Sequence, residues 1–164
     1  MAFVTQVMNS FAQTAILGLV SEIPTPNAVS AQINPSSSAT SIQVGDMVKL
    51  IAGTSGQILV DKCSAATDGP VYGVIAYNPR KNTYSAGDIV DLVLNESYVY
   101  LRATAAIARG VKVTFTPSTA TTDALVAAVT TASTQYVCGV TIDTATAAND
   151  LIRVVIRPSF NSGV

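Results

Sequence analysis

The chain reads the same way twice. The first pass runs Gly45-Asp46-Met47-Val48-Lys49-Leu50, then Val71-Tyr72-Gly73-Val74-Ile75, then Gly87-Asp88-Ile89-Val90-Asp91-Leu92. The second runs Gly110-Val111-Lys112-Val113-Thr114-Phe115, then Val137-Cys138-Gly139-Val140-Thr141-Ile142, then Asn149-Asp150-Leu151-Ile152-Arg153-Val154. The offsets are nearly constant: 65 residues from Gly45 to Gly110, 66 from Gly73 to Gly139 and 62 from Asp88 to Asp150. Two diverged copies of one β-module give this pattern.

Within each copy, short apolar runs come every 8–15 residues with turn residues between them. Strands are expected at Met47 to Ile51, Ile58 to Val60, Tyr72 to Tyr77, Ile89 to Leu94, Tyr98 to Arg102, Lys112 to Phe115, Tyr136 to Ile142 and Ile152 to Ile156. Tyr98-Val99-Tyr100-Leu101 alternates, which places Val99 and Leu101 opposite the two tyrosines. The fold class is all-β and mainly antiparallel, a small β-barrel or β-sandwich with an internal two-fold repeat. Strand spacing leaves barrel against sandwich open. Residues 103–109 and 124–130 read as helical turns or loops, and 116–135 as a long hairpin or surface loop.

The first 22 residues follow a different period. Phe3, Val4, Val7, Met8, Phe11, Ala12, Ala15, Ile16, Leu19 and Val20 recur at i, i+3, i+4 spacing. This predicts an amphipathic helix over 2–20, ended before Pro24. Its apolar stripe needs a partner, either the parent domain or another chain, and Phe3, Val7, Phe11, Ile16 and Leu19 are the candidate contacts. Residues 23–41 carry Pro24, Pro26, Pro35 and Ser36-Ser37-Ser38, which is linker composition. The domain reading is therefore an N-terminal arm and linker over 1–42 and a β-domain over 43–164, with repeat halves at about 43–102 and 103–158.

Little here supports chemistry. The chain has no histidine, which removes the commonest general base and most zinc sites. Asp46, Asp88 and Asp150 recur at matching places, and turn chemistry, in which Asp accepts neighbouring backbone amides, accounts for them better than metal ligation. Asp88 and Asp91 point to opposite faces of a strand, so they form no acid/base pair. Cys63 and Cys138 fit no metal spacing and are expected to be buried free thiols; Cys63 has no base beside it. Gly53-Thr54-Ser55-Gly56 lacks the lysine and helix of a phosphate loop. Gly73 and Gly139, inside apolar runs, mark a bulge or a close backbone approach. Tyr72, Tyr77, Tyr84, Tyr98 and Tyr100 suit interface anchors and core equally. No enzyme, cofactor or metal site is expected.

Composition narrows the partners. Hydrophobic residues make up 49% and charged residues only 12%, with a net charge of −1. There is no basic excess to neutralise phosphates, so no nucleic-acid partner is expected. The first Lys or Arg is Lys49, and Ala15-Ile16-Leu17-Gly18-Leu19-Val20 is too short to span a bilayer, so neither a secretory signal nor a membrane partner is expected. A polar but nearly uncharged surface suits a protein held in a fixed assembly.

The ordered set Val44-Gly45-Asp46-Met47-Val48-Lys49-Leu50, Val71-Tyr72-Gly73-Val74-Ile75, Ala86-Gly87-Asp88-Ile89-Val90, Ala103-Thr104-Ala105-Ala106-Ile107-Ala108-Arg109-Gly110-Val111-Lys112-Val113 and Cys138-Gly139-Val140 resembles the head decoration, or structural cement, proteins of tailed phages. The resemblance runs from about 43 to 157. It implies a small β-domain, made in the host cytoplasm, that sits on the outer surface of an assembled capsid. It further implies a homotrimer that clamps adjacent major capsid subunits. The base of a head fibre, or a virion adhesion or carbohydrate-binding module, is the competing reading, and a small β-barrel enzyme the third.

Overall fold

The computed structural model describes residues 17–18, 27–39, 41–53, 56–130 and 134–162. The chain forms two closed five-stranded barrels in tandem. The first is built from β1 (Ala28–Ile33), β3 (Met47–Ile51), β4 (Leu59–Lys62), β5 (Gly73–Ile75) and β7 (Ile89–Val93). The second is built from β8 (Tyr98–Ala103), β9 (Lys112–Thr116), β10 (Leu125–Ala128), β11 (Thr134–Thr141) and β12 (Leu151–Ser162). Two short strands, β2 (Ile42–Gln43) and β6 (Thr83–Tyr84), pair beside the first barrel.

The repeat extends to strand order and register. Around the first barrel the strands run β1-β4-β3-β5-β7, and around the second β8-β10-β9-β11-β12. In each, one pairing is parallel, β1 with β4 and β8 with β10, and the other four are antiparallel. Ile33 faces Val60 as Ala103 faces Val126. Val48 faces Gly73 as Val113 faces Gly139, and Ile75 faces Leu92 as Thr141 faces Val154. The β2–β6 pair, Ile42 with Tyr84, returns in the second half as the isolated bridge between Ile107 and Ala145.

Closure answers the choice between barrel and sandwich. A barrel has no exposed sheet edge, and at five strands its interior is filled by side chains. Alternation supplies them: in β8, Val99, Leu101 and Ala103 are buried while Tyr98, Tyr100 and Arg102 are half-exposed. The first barrel is filled by Ala31, Ile33, Val48, Val60, Ile75, Val90 and Leu92, with Ile42, Val44 and Tyr84 at one end.

Several expectations are corrected. The linker expected over 23–41 contains β1, which closes the first barrel by pairing with both β4 and β7. The chain passes between barrels at residues 94–97, ahead of the expected junction at 102/103. Residues 125–128 are strand rather than helical turn, because Leu125 to Ala128 pair with both β8 and β9. Among the described residues there is no helix. The helix expected over 2–20 does not run through Leu17 and Gly18, which form a turn with Gly18 at φ +72°, outside the helical region; the rest of that span lies outside the described residues.

The glycines inside strands are demanded by packing. A Cβ on Gly139 would lie 2.1 Å from the Val155 carbonyl oxygen, and one on Gly73 would lie 2.8 Å from that of Val93. Both are backbone obstacles, and the β11–β12 register shifts between Val137 and Gly139. Gly139→Ala is expected to lower stability by about 3 kcal/mol or more, and Gly73→Ala by less. Urea unfolding of the two variants beside the parent checks the order.

Candidate interaction site

Once the first barrel is filled, part of its outer face is still apolar. Met47, Val74 and Val93 project outward from β3, β5 and β7, and they cluster with Cys63 and Val71 on the core of the second barrel. All five are at most 5% exposed. Each buried side chain of this size contributes roughly 1.5–3 kcal/mol, so this seam joins the barrels into one body. Tyr136 extends it: the Tyr136 amide donates to the Ala66 carbonyl at 2.7 Å, and its ring lies over Gly69, where a Cβ would clash at 2.7 Å.

A buried polar cluster sits beside the apolar seam. Asp46 opens β3 and Lys62 ends β4, and their side chains are 0% and 5% exposed with Lys62 Nζ 3.2 Å from Asp46 Oδ2. Ser118, from the loop after β9 in the second barrel, donates its amide to Asp46 Oδ1 at 2.8 Å and its hydroxyl to Oδ2 at 2.6 Å. Lys62 Nζ donates to the carbonyls of Ser118 at 2.7 Å and Ser41 at 2.9 Å. Asp46 also accepts the Gln43 amide at 2.8 Å, which is the expected turn role. The repeat gives no counterpart: the equivalent positions in the second barrel are Val111 and Ala128. A buried pair adds little net stability over apolar replacements, but a lone survivor is costly. The cluster therefore fixes the register of the seam rather than supplying its strength. Lys62→Met alone is expected to lose about 3–5 kcal/mol. Asp46→Val with Lys62→Met should lose at least about 1 kcal/mol less than the sum of the singles, read from a double-mutant cycle of urea unfolding.

The N-terminal segment enters at the same seam. The Gly18 amide donates to the Tyr100 carbonyl of β8 at 2.8 Å, and the Tyr77 amide donates to the Gly18 carbonyl at 2.9 Å. Gly18 thus bridges both barrels. A Cβ there would lie 2.4 Å from Val44 Cγ1, so no other residue fits. Leu17 packs on Gly45 and lines a cleft of about 280 Å³ with Val44, Tyr77, Arg102 and Leu151. The predicted contact residues Phe3, Val7, Phe11, Ile16 and Leu19 all lie outside the described residues.

The residues weighed for chemistry take structural places. Asp88 accepts the Ser85 amide at 2.6 Å, and Asp150 accepts those of Thr146 and Ala147 at 2.7 and 3.0 Å. The amide bonds hold the Asp150 carboxyl below the usual carboxylate range. Asp91 lies on the outer face of β7 and accepts the Ser30 hydroxyl at 2.7 Å. Cys63 and Cys138 are free of disulfides and buried, and burial pushes each thiol up to about 12. Of the five tyrosines, Tyr84 is buried and Tyr72, Tyr77, Tyr98 and Tyr100 are half-buried. Among the described residues no three of His, Cys, Asp and Glu are grouped to hold a metal.

What the described surface offers is contact area. Leu50, Ile89 and Phe160 are 54%, 62% and 56% exposed, and Phe160 rests against Tyr136 with ring centres 5.0 Å apart. The ion pairs are mostly shallow: Arg157 holds Glu96 with both side chains more than half exposed, a geometry worth about 0–1 kcal/mol.

The family model described as structural cement protein (E217 gp24/Pam3 gp6) matches residues 3–157. The chain belongs to the phage structural cement protein family. It is thus a structural protein of the phage virion, and the order of strand and turn motifs that pointed to this family runs through both barrels. Among solved structures, one titled the crystal structure of head fiber gp8.5 N base in bacteriophage phi29 is similar to this cement protein at 13% identity and TM-score 0.47, over 85% of this chain and 98% of that one. No curated protein matches the sequence.

Proposed function

We propose that this cement protein binds the outer surface of the assembled capsid and stabilises it by bridging adjacent major capsid subunits. The single observation that carries this reading is membership of the cement family over residues 3–157. The physical character of the molecule supports it. Two barrels locked at a buried seam give a stiff body, and the low charge of its surface suits permanent contact. Leu17 and Gly18, just after the apolar stripe in sequence, are anchored where the two barrels meet. The apolar stripe of that arm, Phe3, Val7 and Phe11 with Ile16 and Leu19, is the proposed contact with the shell or with a neighbouring subunit. The protein acts as a homotrimer, without cofactor, and makes no contact with nucleic acid or membrane.

Clamping needs no strong single contact. Many copies on a symmetric shell add their effects, and a protein that binds only the assembled state stabilises it by mass action. Capsids saturated with the protein are expected to melt at a higher temperature than undecorated capsids, by calorimetry. Phe3→Ser with Phe11→Ser in the full chain should weaken co-sedimentation with capsids by about tenfold or more. Unchanged melting at saturating occupancy contradicts the clamp and favours a fibre base or adhesion module.

A further inference from the structure

The tandem repeat presents one outer face twice, and among the described residues only one copy of it is covered. In the first barrel Met47, Val74 and Val93 are 2%, 0% and 0% exposed, because the second barrel packs on them. The corresponding residues of the second barrel are Lys112, Val140 and Val155. Lys112 is exposed, Val140 is half-buried and only Val155 is covered. Lys112 and Val140 border a groove of about 320 Å³, also lined by Val137, Glu96 and Arg157. Glu96 and Arg157 satisfy each other; Lys112 has no ion pair among the described residues. The rim at Glu96 belongs to the connector between the barrels.

We infer that this groove takes the first barrel of a second copy of the chain, through Ile89 and Asp91. Charge supports that occupant. Residues 27–97 carry six acids and four bases, a net −2, whereas residues 98–162 carry five bases and three acids, a net +2. The two faces also carry the same kinds of group. Lys112 and Val140 are direct cross-strand partners, about 5 Å apart. Ile89 and Asp91 stand on one face of β7, two residues and about 7 Å apart. One apolar side chain and one charge are thus presented on each side, with opposite signs. Ile89 is the most exposed large hydrophobic side chain described, at 62%. The two surfaces differ, so the contact is head-to-tail and closes into a ring when the rotation allows. The inference rests on the homotrimer in the proposed function and names its interface.

Sedimentation equilibrium of the full chain over a concentration series tests it. Lys112→Glu and Asp91→Lys should each weaken self-association about tenfold, and the double charge swap should return it to within about threefold of the parent. Both residues are exposed, and an unchanged urea midpoint confirms intact folding. An intermolecular disulfide between Ile89→Cys and Val140→Cys chains under mild oxidation supports the same geometry. A monomeric parent, single variants that associate like the parent, or a double variant no better than the weaker single overturns the inference. Capsid co-sedimentation of the same proteins separates the two readings. If the parent still binds and stabilises capsids while the charge variants leave association unchanged, the groove assignment fails and the cement function stands. If the parent does not bind capsids, the proposed function fails.

Discussion

Everything else in the molecule depends on the apolar seam between the barrels. Each repeat supplies only about 65 residues, a size at which a lone core is marginal because too little of the chain is buried. The first barrel adds to its interior by burying Met47, Val71, Val74 and Val93 a second time, on its outside, against the core of the second. That joint core spans both repeats, and it is why the two barrels form one body. The Asp46–Lys62–Ser118 cluster then selects one register for the seam, since a slip would strand buried charges. The seam also holds Gly18 between Tyr77 and Tyr100.

The two halves have diverged where the seam requires it. Strand order, pairing sense and register agree throughout, because barrel closure tolerates no change in them. The residues that meet the other barrel differ freely. Met47 in one half is Lys112 in the other, Asp46 is Val111, and Lys62 is Ala128. The half that must bury its face carries apolar side chains there and a neutralised charge pair, and the half that leaves it open carries a lysine.

This division also explains what was legible in the amino-acid sequence. The repeat, the all-β class, the turn roles of Asp46, Asp88 and Asp150 and the tight approach at Gly73 and Gly139 are local or periodic signals, and they read directly. Closure into barrels is not local: β1 meets β4 and β7, which lie 27 or more residues away. The prolines and serines around Ala28 to Ile33 disguised β1 as linker, and the alanines of Leu125 to Ala128 disguised β10 as helical turn. The repeat itself held the missing signal, since those segments lie 70 and 66 residues from β8 and β4. The Lys62 cluster was hidden because Ser118 is 56 residues from Lys62 and 72 from Asp46. The arm residues chosen as contacts rest on helical periodicity alone, and the described part of the arm, Leu17 and Gly18, is held by backbone bonds that no side-chain pattern announces.

A chain with its thiols buried, its turn carboxylates bonded to backbone amides and its charges mostly paired at the surface has shape and contact area to offer, and a family of virion cement proteins uses both. In the proposed function this two-barrel body lies on the outside of a capsid across the boundary between neighbouring subunits. Electron cryomicroscopy of undecorated capsids mixed with the purified protein tests that most directly. Added density is expected on the outer surface, shaped as paired barrels and straddling the seams between major capsid subunits. Density confined to the centre of single subunits, or to the inside of the shell, or none at saturating protein, contradicts it.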